Sequence, residues 1–459
     1  MHACSRRRRC KGVTAITQKI LELNAFNMTA AEGLDPAAAA LVKRRRATFG
    51  PTSMLFYKRP LHVVRAEGVW LYDADGSRYL DAYNNVPSVG HCHPRVVEAV
   101  AKQLATLNIH TRYLYDNVYT YAERLLATFP SELSNIVFTC TGSESVDLAL
   151  RMARIVTGGT GFIATANAYH GNTTTATQVS PSSASREPTP KEIFFVPAPD
   201  TYRLGLDEAC RKFNADVQVA LDAMRSQGLK CAGLIADSIL SSDGVFPGVP
   251  GFLNDAAAAV RAAGGLYIAD EVQPGFGRTG DTMWGFERHG LIPDIVVMGK
   301  PMGNGYPIGG VVVKPSILAE FGAGSGYFNT FGGSPVAAAA GMAVLDVLED
   351  EGLQANAKDT GAYLLAGIKQ AGNGHPQFGD ARGAGLYVGV EFVTSQSARA
   401  PDKDITSAVV NGLRERNVLI GTAGLHGNIL KIRPPLCLNR THAGQIIDAF
   451  AAVLKDDAV

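Results

Sequence analysis

The fold of this chain is constrained most by two apolar runs. Each run ends abruptly in a charged residue and a glycine-rich turn. The first run begins at Tyr267 and ends at Asp270. The second begins near Asp294 and ends at Met298, just before Lys300. Such short, continuous apolar runs are typical of strands buried on both faces of a parallel sheet, and ligands bind beyond the carboxyl ends of those strands. The sequence therefore predicts that Asp270 and Lys300 lie at the ligand-binding edge of an α/β sheet.

Apolar segments and helical patterns alternate through the middle of the chain, which favours a mostly parallel sheet with crossover helices. After Ser334 a long helix leads to a separate α+β unit. The predicted domains are an N-terminal extension (1–30, disordered or misassigned, with Met28 a candidate start), an N-terminal segment of the small domain (31–80), a large domain (81–335) and a C-terminal small domain (336–459). The predicted strands of the large domain are residues 135–139, 161–165, 232–237, 265–270, 294–298 and 308–313. The Ser- and Pro-rich residues 180–190 are predicted to form a surface loop.

Charge and cysteine content exclude several classes of function. The net charge of the 459 residues is +1, which disfavours binding to nucleic acid or to an acidic membrane surface. The seven cysteines are scattered and form no CxxC, so neither a disulfide framework nor a zinc site is expected, and a cytoplasmic location is predicted. No apolar run is long enough to span a bilayer.

Small residues and aromatic side chains near other strand ends suggest anion and ring binding. Gly142 and Ser143 open a helix, where free N–H groups favour a phosphate, although an ordinary helix cap is an equal alternative. Thr330 could add a hydroxyl to the same phosphate. Tyr169, followed by His170, could stack on an aromatic ligand or simply pack in the core.

Two further sequence patterns suggest a ligand-binding site at first sight, but neither is predicted to form one. His91-Cys92-His93 lacks companion ligands at zinc spacing, so we interpret it as the turn that enters a helix at Pro94, and no metal site is predicted. The glycines from Gly275 to Gly280 do not lie between a strand and a helix in the manner of a dinucleotide-binding fold.

A buried lysine paired with a buried acid is the combination that pyridoxal phosphate chemistry uses. The lysine forms a Schiff base with the cofactor, and the acid keeps the pyridine nitrogen protonated. Lys300 and Asp270 are the predicted catalytic residues, and Gln273 could donate to the ring hydroxyl.

Four segments together resemble the class III aminotransferases, which are pyridoxal phosphate enzymes of fold type I. They begin at Thr141, Tyr169, Asp270 and Gly299, and the resemblance runs from about Phe49 to the C-terminus. It implies an active site at the interface of a homodimer or homotetramer, with Thr330 supplied by the neighbouring subunit. The implied cofactor-binding residues are Gly142, Ser143, Tyr169, His170, Asp237, Asp270, Gln273, Lys300 and Thr330.

A narrower resemblance is to the ethanolamine-phosphate and phosphohydroxylysine phospho-lyases of that family. It rests on the segments beginning at Asn84, Thr111, Pro199, Tyr327 and Gly427. It implies β-elimination of phosphate from O-phosphoethanolamine, with acetaldehyde and ammonia as the other products. The expected substrate-binding residues are Tyr57, Asn85, Arg112 and Arg433.

Two residues depart from the family pattern. Asp237 stands where the class more often has Glu, which casts doubt on an arginine salt bridge used by many transaminases, and Cys140 replaces Asn. An ω-aminotransferase that passes an amine to a 2-oxo acid such as pyruvate, a phosphohydroxylysine phospho-lyase and a catalytically silent binding protein remain the alternatives.

Overall fold

The computed structural model describes residues 25–26, 34–50, 54–183 and 188–456. Of the predicted N-terminal extension, only Ala25 and Phe26 are described. Ala25 forms an isolated β-bridge with Phe56, and Phe26 is buried. The rest of that extension lies outside the described residues.

Helices and strands alternate along most of the described chain. The helices are α1 (Pro36–Phe49), α2 (Pro94–Thr106), α3 (Asp116–Leu126), α4 (Gly142–Thr157), α5 (Thr174–Gln178), α6 (Thr201–Leu204), α7 (Leu206–Ser226), α8 (Asn254–Ala262), α9 (Pro315–Gly324), α10 (Pro335–Asp350), α11 (Leu353–Gly372), α12 (Lys403–Glu415) and α13 (Arg440–Val453). The strands are β1 (Val63–Glu67), β2 (Trp70–Asp73), β3 (Arg78–Asp81), β4 (Asn135–Thr139), β5 (Gly161–Thr165), β6 (Ile193–Val196), β7 (Cys231–Asp237), β8 (Leu266–Asp270), β9 (Ile295–Met298), β10 (Gly309–Val313), β11 (Phe378–Ala384), β12 (Tyr387–Phe392), β13 (Val418–Leu419), β14 (Gly421–Ala423) and β15 (Ile429–Ile432).

The central sheet has seven strands in the order β4-β10-β9-β8-β7-β5-β6. Only β10 runs antiparallel to its neighbours, so the predicted mostly parallel α/β sheet is confirmed. All six predicted strands are present, with bounds that differ by at most one residue. Strand β6, a four-residue strand at the edge of the sheet, is not among the predicted strands.

Helices cover both faces of this sheet, which explains why its strands are continuous apolar runs. On one face, α4 packs against β9 and β10 and is itself covered by α9. Its apolar residues, such as Val146, Leu150 and Ala153, are completely buried. This packing fixes the position of the first turn of α4 relative to the strand ends.

Of the predicted surface loop (180–190), residues 184–187 lie outside the described residues, and the described part is partly buried. Ser180 and Ser182 are only 1% and 3% exposed. Ser180 Oγ accepts from the main-chain N–H of His170, and Ser182 Oγ donates to the carbonyl of Ala168. The prediction is therefore wrong for these residues, because their hydroxyls satisfy buried main-chain groups, whereas Pro188 is exposed.

Two four-stranded sheets lie outside the central sheet. One has the order β1-β2-β3-β13, in which β3 pairs in parallel with β13 through Leu80 and Val418. The other has the order β11-β12-β15-β14. The N-terminal strands therefore share a sheet with the C-terminal part of the chain. No helix in the described ranges is both long and apolar enough to cross a membrane.

Candidate active site

Asp270 and Lys300 emerge at the same edge of the central sheet. Strands β8 and β9 are parallel neighbours, and Asp270 pairs with Val297 near the end of β9. Lys300 follows β9 by two residues and lines a cavity of about 250 Å³ together with Tyr169 and Gln273. Burial, and then the positive charge of Arg433, lower the pKa of the Lys300 amine to about 8. A larger fraction of this amine is therefore neutral near pH 7 than for an ordinary lysine.

The Asp270 carboxylate is held in one orientation by two partners. Its Oδ2 lies 2.6 Å from His170 Nδ1, and its Oδ1 accepts from the N–H of Val272 at 3.0 Å. His170 is buried, and its main-chain N–H is held by Ser180. The other ring nitrogen of His170 has no partner among the described residues. His170 therefore positions Asp270, and its own contact with the cofactor stays a prediction.

The first turn of α4 offers free N–H groups close to Lys300. Thr141 Oγ1 accepts from the N–H of Glu144, and the Glu144 carboxylate accepts from the N–H of Cys140. The N–H groups of Gly142 and Ser143 lie in the first turn, which has no intrahelical acceptor. The helix dipole adds positive potential there, so this turn can bind an anion.

Glycines allow the neighbouring loops to approach this turn. A Cβ atom on Gly299 would lie 3.0 Å from both N and Cα of Gly142. A Cβ atom on Gly171, whose φ is +147°, would lie 2.7 Å from Ser143 Oγ. The glycine before Lys300 and the glycine after His170 therefore bring the strand ends against the helix N-terminus.

Gln273 joins the two sides of the cavity. Its Nε2 donates to Ser241 Oγ at 2.7 Å. Its Oε1 accepts from the Tyr387 hydroxyl at 3.0 Å and from Arg433 Nη1. Donation from Gln273 to a ring hydroxyl uses the second N–H of the same amide and stays a prediction.

Two basic residues of the small domain complete the cavity. Arg433 and Lys431 both line it, together with Tyr83, Ser242 and Thr422. The guanidinium of Arg433 lies 4.6 Å from the centre of the Tyr83 ring. Arg433 was predicted as a substrate residue, whereas Lys431 was missed. The available signal was its position two residues before Arg433, because alternate residues of a strand share a face.

The model of the family described as "Aminotransferase class-III" matches residues 56–454. The chain belongs to the class III aminotransferase family. Its members depend on pyridoxal phosphate, so the predicted family, fold type I architecture and cofactor of this enzyme are confirmed.

Similar proteins carry two kinds of name. A Drosophila melanogaster protein named alanine–glyoxylate aminotransferase 2-like is 40% identical over 442 residues, which cover 94% of this chain and 89% of that protein. The Caenorhabditis elegans ethanolamine-phosphate phospho-lyase homolog 1 is 38% identical, with 91% and 96% covered. A solved phospholyase structure from Arthrobacter, in complex with phosphoethanolamine, has a TM-score of 0.87 and 42% identity, with 90% of this chain and 99% of that chain covered.

The residues of this class III enzyme fit pyridoxal phosphate. The Lys300 amine and Tyr169 line one cavity, the Asp270 carboxylate is fixed at the neighbouring strand end, and the glycine-lined first turn of α4 suits the cofactor phosphate. When bound, the cofactor withdraws electrons from the carbon that carries the substrate's nitrogen. Lys300 can hold the cofactor and later take a proton from that carbon, and Asp270 can keep the ring nitrogen protonated.

Asp237 is not among the residues that line the cavity, and its contact with the cofactor stays a prediction. Its two carboxylate oxygens accept from the N–H groups of Ile239 and Ser241, at 2.9 and 3.0 Å. Burial raises the pKa of this carboxyl group. Asp237 therefore closes its own turn after β7, and it forms no ion pair with an arginine in the part of the chain that the structure describes.

Among the predicted substrate residues, Tyr57 is placed differently from the expectation. Its side chain is buried, and its hydroxyl donates to the carbonyl of Ile420 at 3.0 Å. The neighbouring Phe56 lines the cavity instead. The Tyr57 hydroxyl is thus engaged inside the fold, and a role of Tyr57 in substrate binding stays a prediction.

Asn85, Arg112 and Thr330 are not brought to the cavity within one chain. Asn85 is buried, and its amide nitrogen finds no acceptor among the described residues. Arg112 is exposed and lies 3.8 Å from the centre of the Phe328 ring, and Thr330 is also exposed. Their roles, including a contact from a neighbouring subunit, stay predictions.

The His91-Cys92-His93 segment enters α2, as predicted. His91 Nε2 lies 2.7 Å from Asp81, and His93 Nε2 lies 3.0 Å from Glu351. Each histidine is thus paired with a different carboxylate. No group of three or more potential metal ligands is found among the described residues.

Proposed function

We propose that this enzyme is a phospho-lyase that eliminates phosphate from O-phosphoethanolamine. With water, the reaction gives acetaldehyde, ammonia and inorganic phosphate. The observation that carries the proposal is a cation in the cavity with no acidic partner. Arg433 lines the cavity beside Lys300, and its Nη1 donates a hydrogen bond to the neutral amide of Gln273. No ion pair joins Arg433 to a carboxylate of the described residues, so it is available for an anionic substrate group.

The proposed roles of the residues follow from this arrangement. Lys300, whose pKa is lowered to about 8, takes the proton from the carbon that bears nitrogen. The bond between the next carbon and the phosphate oxygen then breaks, and both electrons leave with the phosphate. Arg433 stabilises the negative charge that grows on the departing group. The Arthrobacter phospholyase with phosphoethanolamine, 42% identical to this chain, supports this choice of substrate.

The test is release of phosphate without an amine acceptor. The holoenzyme is incubated with phosphoethanolamine and no 2-oxo acid, and free phosphate and acetaldehyde are measured over many enzyme equivalents. Sustained release of both products in equal amounts is expected. Release that occurs only after pyruvate is added, or a single stoichiometric burst, would contradict the proposal.

An ω-aminotransferase is the second candidate. The Drosophila relative named alanine–glyoxylate aminotransferase 2-like is 40% identical, and an aminotransferase would use the same Lys300 and Asp270. Transfer of the amine to pyruvate, followed as alanine formation, distinguishes this candidate. 5-Phosphohydroxylysine in the acceptor-free assay tests the third alternative.

We also propose that the enzyme acts as a homodimer or homotetramer in the cytoplasm. Leu114 and Phe331 are 90% and 72% exposed in the single chain. Burying these side chains against a second copy would remove apolar surface from water. Phe331 adjoins Thr330, so such an interface would also bring Thr330 close to another subunit. Light scattering after gel filtration checks the proposed assembly.

A further inference from the structure

Lys431 is a buried cation in the active-site cavity. It lies on β15, is only 4% exposed, and lines the cavity with Lys300 and Arg433. Successive side chains of a strand point to opposite faces, so Lys431 and Arg433 point to the same side. Three cationic side chains therefore meet around one small space.

No acidic side chain of the described residues forms an ion pair with Lys431. In the described ranges, the Lys431 amine forms neither a hydrogen bond nor an ion pair, and the centre of the Tyr387 ring lies 5.8 Å from Nζ. Asp237 and Asp243 act on Lys431 through their charge, but their carboxylates are hydrogen-bonded to other groups. Asp237 accepts from its own turn, and Asp243 accepts from the Thr165 hydroxyl at 2.7 Å and the Asn167 N–H at 3.0 Å.

A cation in this position is costly to the fold. Removing a charge from water without a partner is unfavourable, and the nearby Arg433 adds repulsion. Burial, and then Arg433, lower the pKa of the Lys431 amine well below its ordinary value. Residues that cost stability without a structural partner are expected at functional sites. An anion entering the cavity would supply the missing partner.

The cofactor phosphate is not this anion. Its predicted site is the first turn of α4, at Gly142 and Ser143, and neither residue lines the cavity that Lys431 faces. Lys431 and Arg433 can therefore bind a second anion, separate from the cofactor phosphate. A phosphate monoester carries up to two negative charges near neutral pH, which matches Lys431 and Arg433 better than a carboxylate with one charge does.

We propose that Lys431 and Arg433 jointly bind the phosphate of the substrate, and that Lys431 makes the site prefer a phosphate dianion over a carboxylate. The assignment of the anion to a substrate rests on the function proposed above. Arg433 supplies a planar donor pair, and Lys431 adds a point charge on the same side. Lys431 is thus a specificity-determining residue.

The first measurement compares Lys431→Met holoenzyme with wild type in phosphate release from phosphoethanolamine. Methionine keeps the length of the side chain and removes the charge. We expect KM to rise roughly 10- to 150-fold, the effect of losing one charge-assisted hydrogen bond. Lys369→Met, at an exposed position of α11, is the matched control and should leave KM unchanged.

The second measurement is thermal unfolding of each holoenzyme with and without inorganic phosphate. Phosphate should raise the Tm of wild type and of Lys369→Met, and propionate at equal concentration should raise it less. Lys431→Met should show little shift with phosphate. Without phosphate its Tm should equal or exceed that of wild type, because an unpaired buried charge is gone. A merely structural lysine would instead lower the Tm when replaced. Lys431→Gln repeats the comparison if the methionine variant does not fold.

The two proposals fail separately. An unchanged KM together with an unchanged phosphate-dependent Tm shift in Lys431→Met would overturn the role of Lys431. Equal protection of wild type by propionate and phosphate would overturn the selectivity for a dianion. If wild type releases no phosphate from phosphoethanolamine, the lyase proposal is lost, and the Tm comparison still decides whether Lys431 binds the anion.

Discussion

Gly299 allows the turn that carries Lys300 to approach the first turn of α4. Replacing Gly299 with alanine tests whether this close approach is needed to bind the cofactor. The added methyl group would lie 3.0 Å from both N and Cα of Gly142. Both are main-chain atoms of a helix packed on the sheet, so they cannot rotate away as the end of a side chain could. Forcing a methyl group into such a site typically costs about 1–3 kcal/mol.

This energy should appear mainly as weaker cofactor binding, because the displaced turn carries the N–H groups predicted to hold the cofactor phosphate. At about 1.4 kcal/mol per tenfold, the dissociation constant of pyridoxal phosphate should rise about 5- to 150-fold. The measurement is an absorbance titration of apoenzyme with cofactor, accompanied by urea unfolding of the apoenzyme.

Gly322→Ala is the matched control for this substitution. Gly322 lies in α9, and a Cβ atom there meets nothing within 4 Å. Cofactor affinity should be unchanged, and stability should be equal or up to about 1 kcal/mol higher, since alanine favours a helix. Wild-type cofactor affinity in Gly299→Ala would refute the reasoning, even if the variant were less stable.

Three further substitutions or conditions test the site. Arg433→Ala should raise the KM for phosphoethanolamine roughly 10- to 150-fold through loss of a charge-assisted contact, and an unchanged KM in the phosphate-release assay would remove it from the site. Tyr57→Phe should lower the free energy of unfolding by about 1 kcal/mol in a urea titration and leave KM unaltered, because its hydroxyl serves the Ile420 carbonyl. The rate at which apoenzyme incorporates pyridoxal phosphate should increase as the pH rises through about 8, since only the neutral Lys300 amine reacts; an increase delayed to the ordinary lysine pKa of 10.5 would contradict the lowered value.

Local sequence patterns were sufficient to predict the position of the site residues that lie at the ends of consecutive strands. Asp270 and Lys300 end apolar runs, so their placement at one sheet edge follows from the parallel pairing of β8 and β9. Strand β6 was missed because Ile193–Val196 is too short to show a period. The burial of Ser180 was missed because serine content alone does not reveal main-chain partners such as His170.

Contacts between distant parts of the chain were harder to predict. Lys431 reaches the cavity because β15 lies near the loop after β7, where the Ile429 side chain approaches Gly244, and no local sequence pattern reveals that packing. Tyr57 and Phe56 are neighbours that point in different directions, so choosing between them needed the fold. Arg112 and Thr330 face outward in one chain, and their environment depends on assembly.

The hydrogen bond from Arg433 to Gln273 links the proposed substrate-binding residue to the loop that carries Asp270. Gln273 is three residues from Asp270, so a shift of Arg433, the proposed substrate-binding residue, should be transmitted to the loop that positions Asp270. If Arg433 binds the substrate as proposed, a substitution at Arg433 should also change the position of Asp270. Descendants of this scaffold that changed reaction should carry paired changes at Arg433 and Gln273.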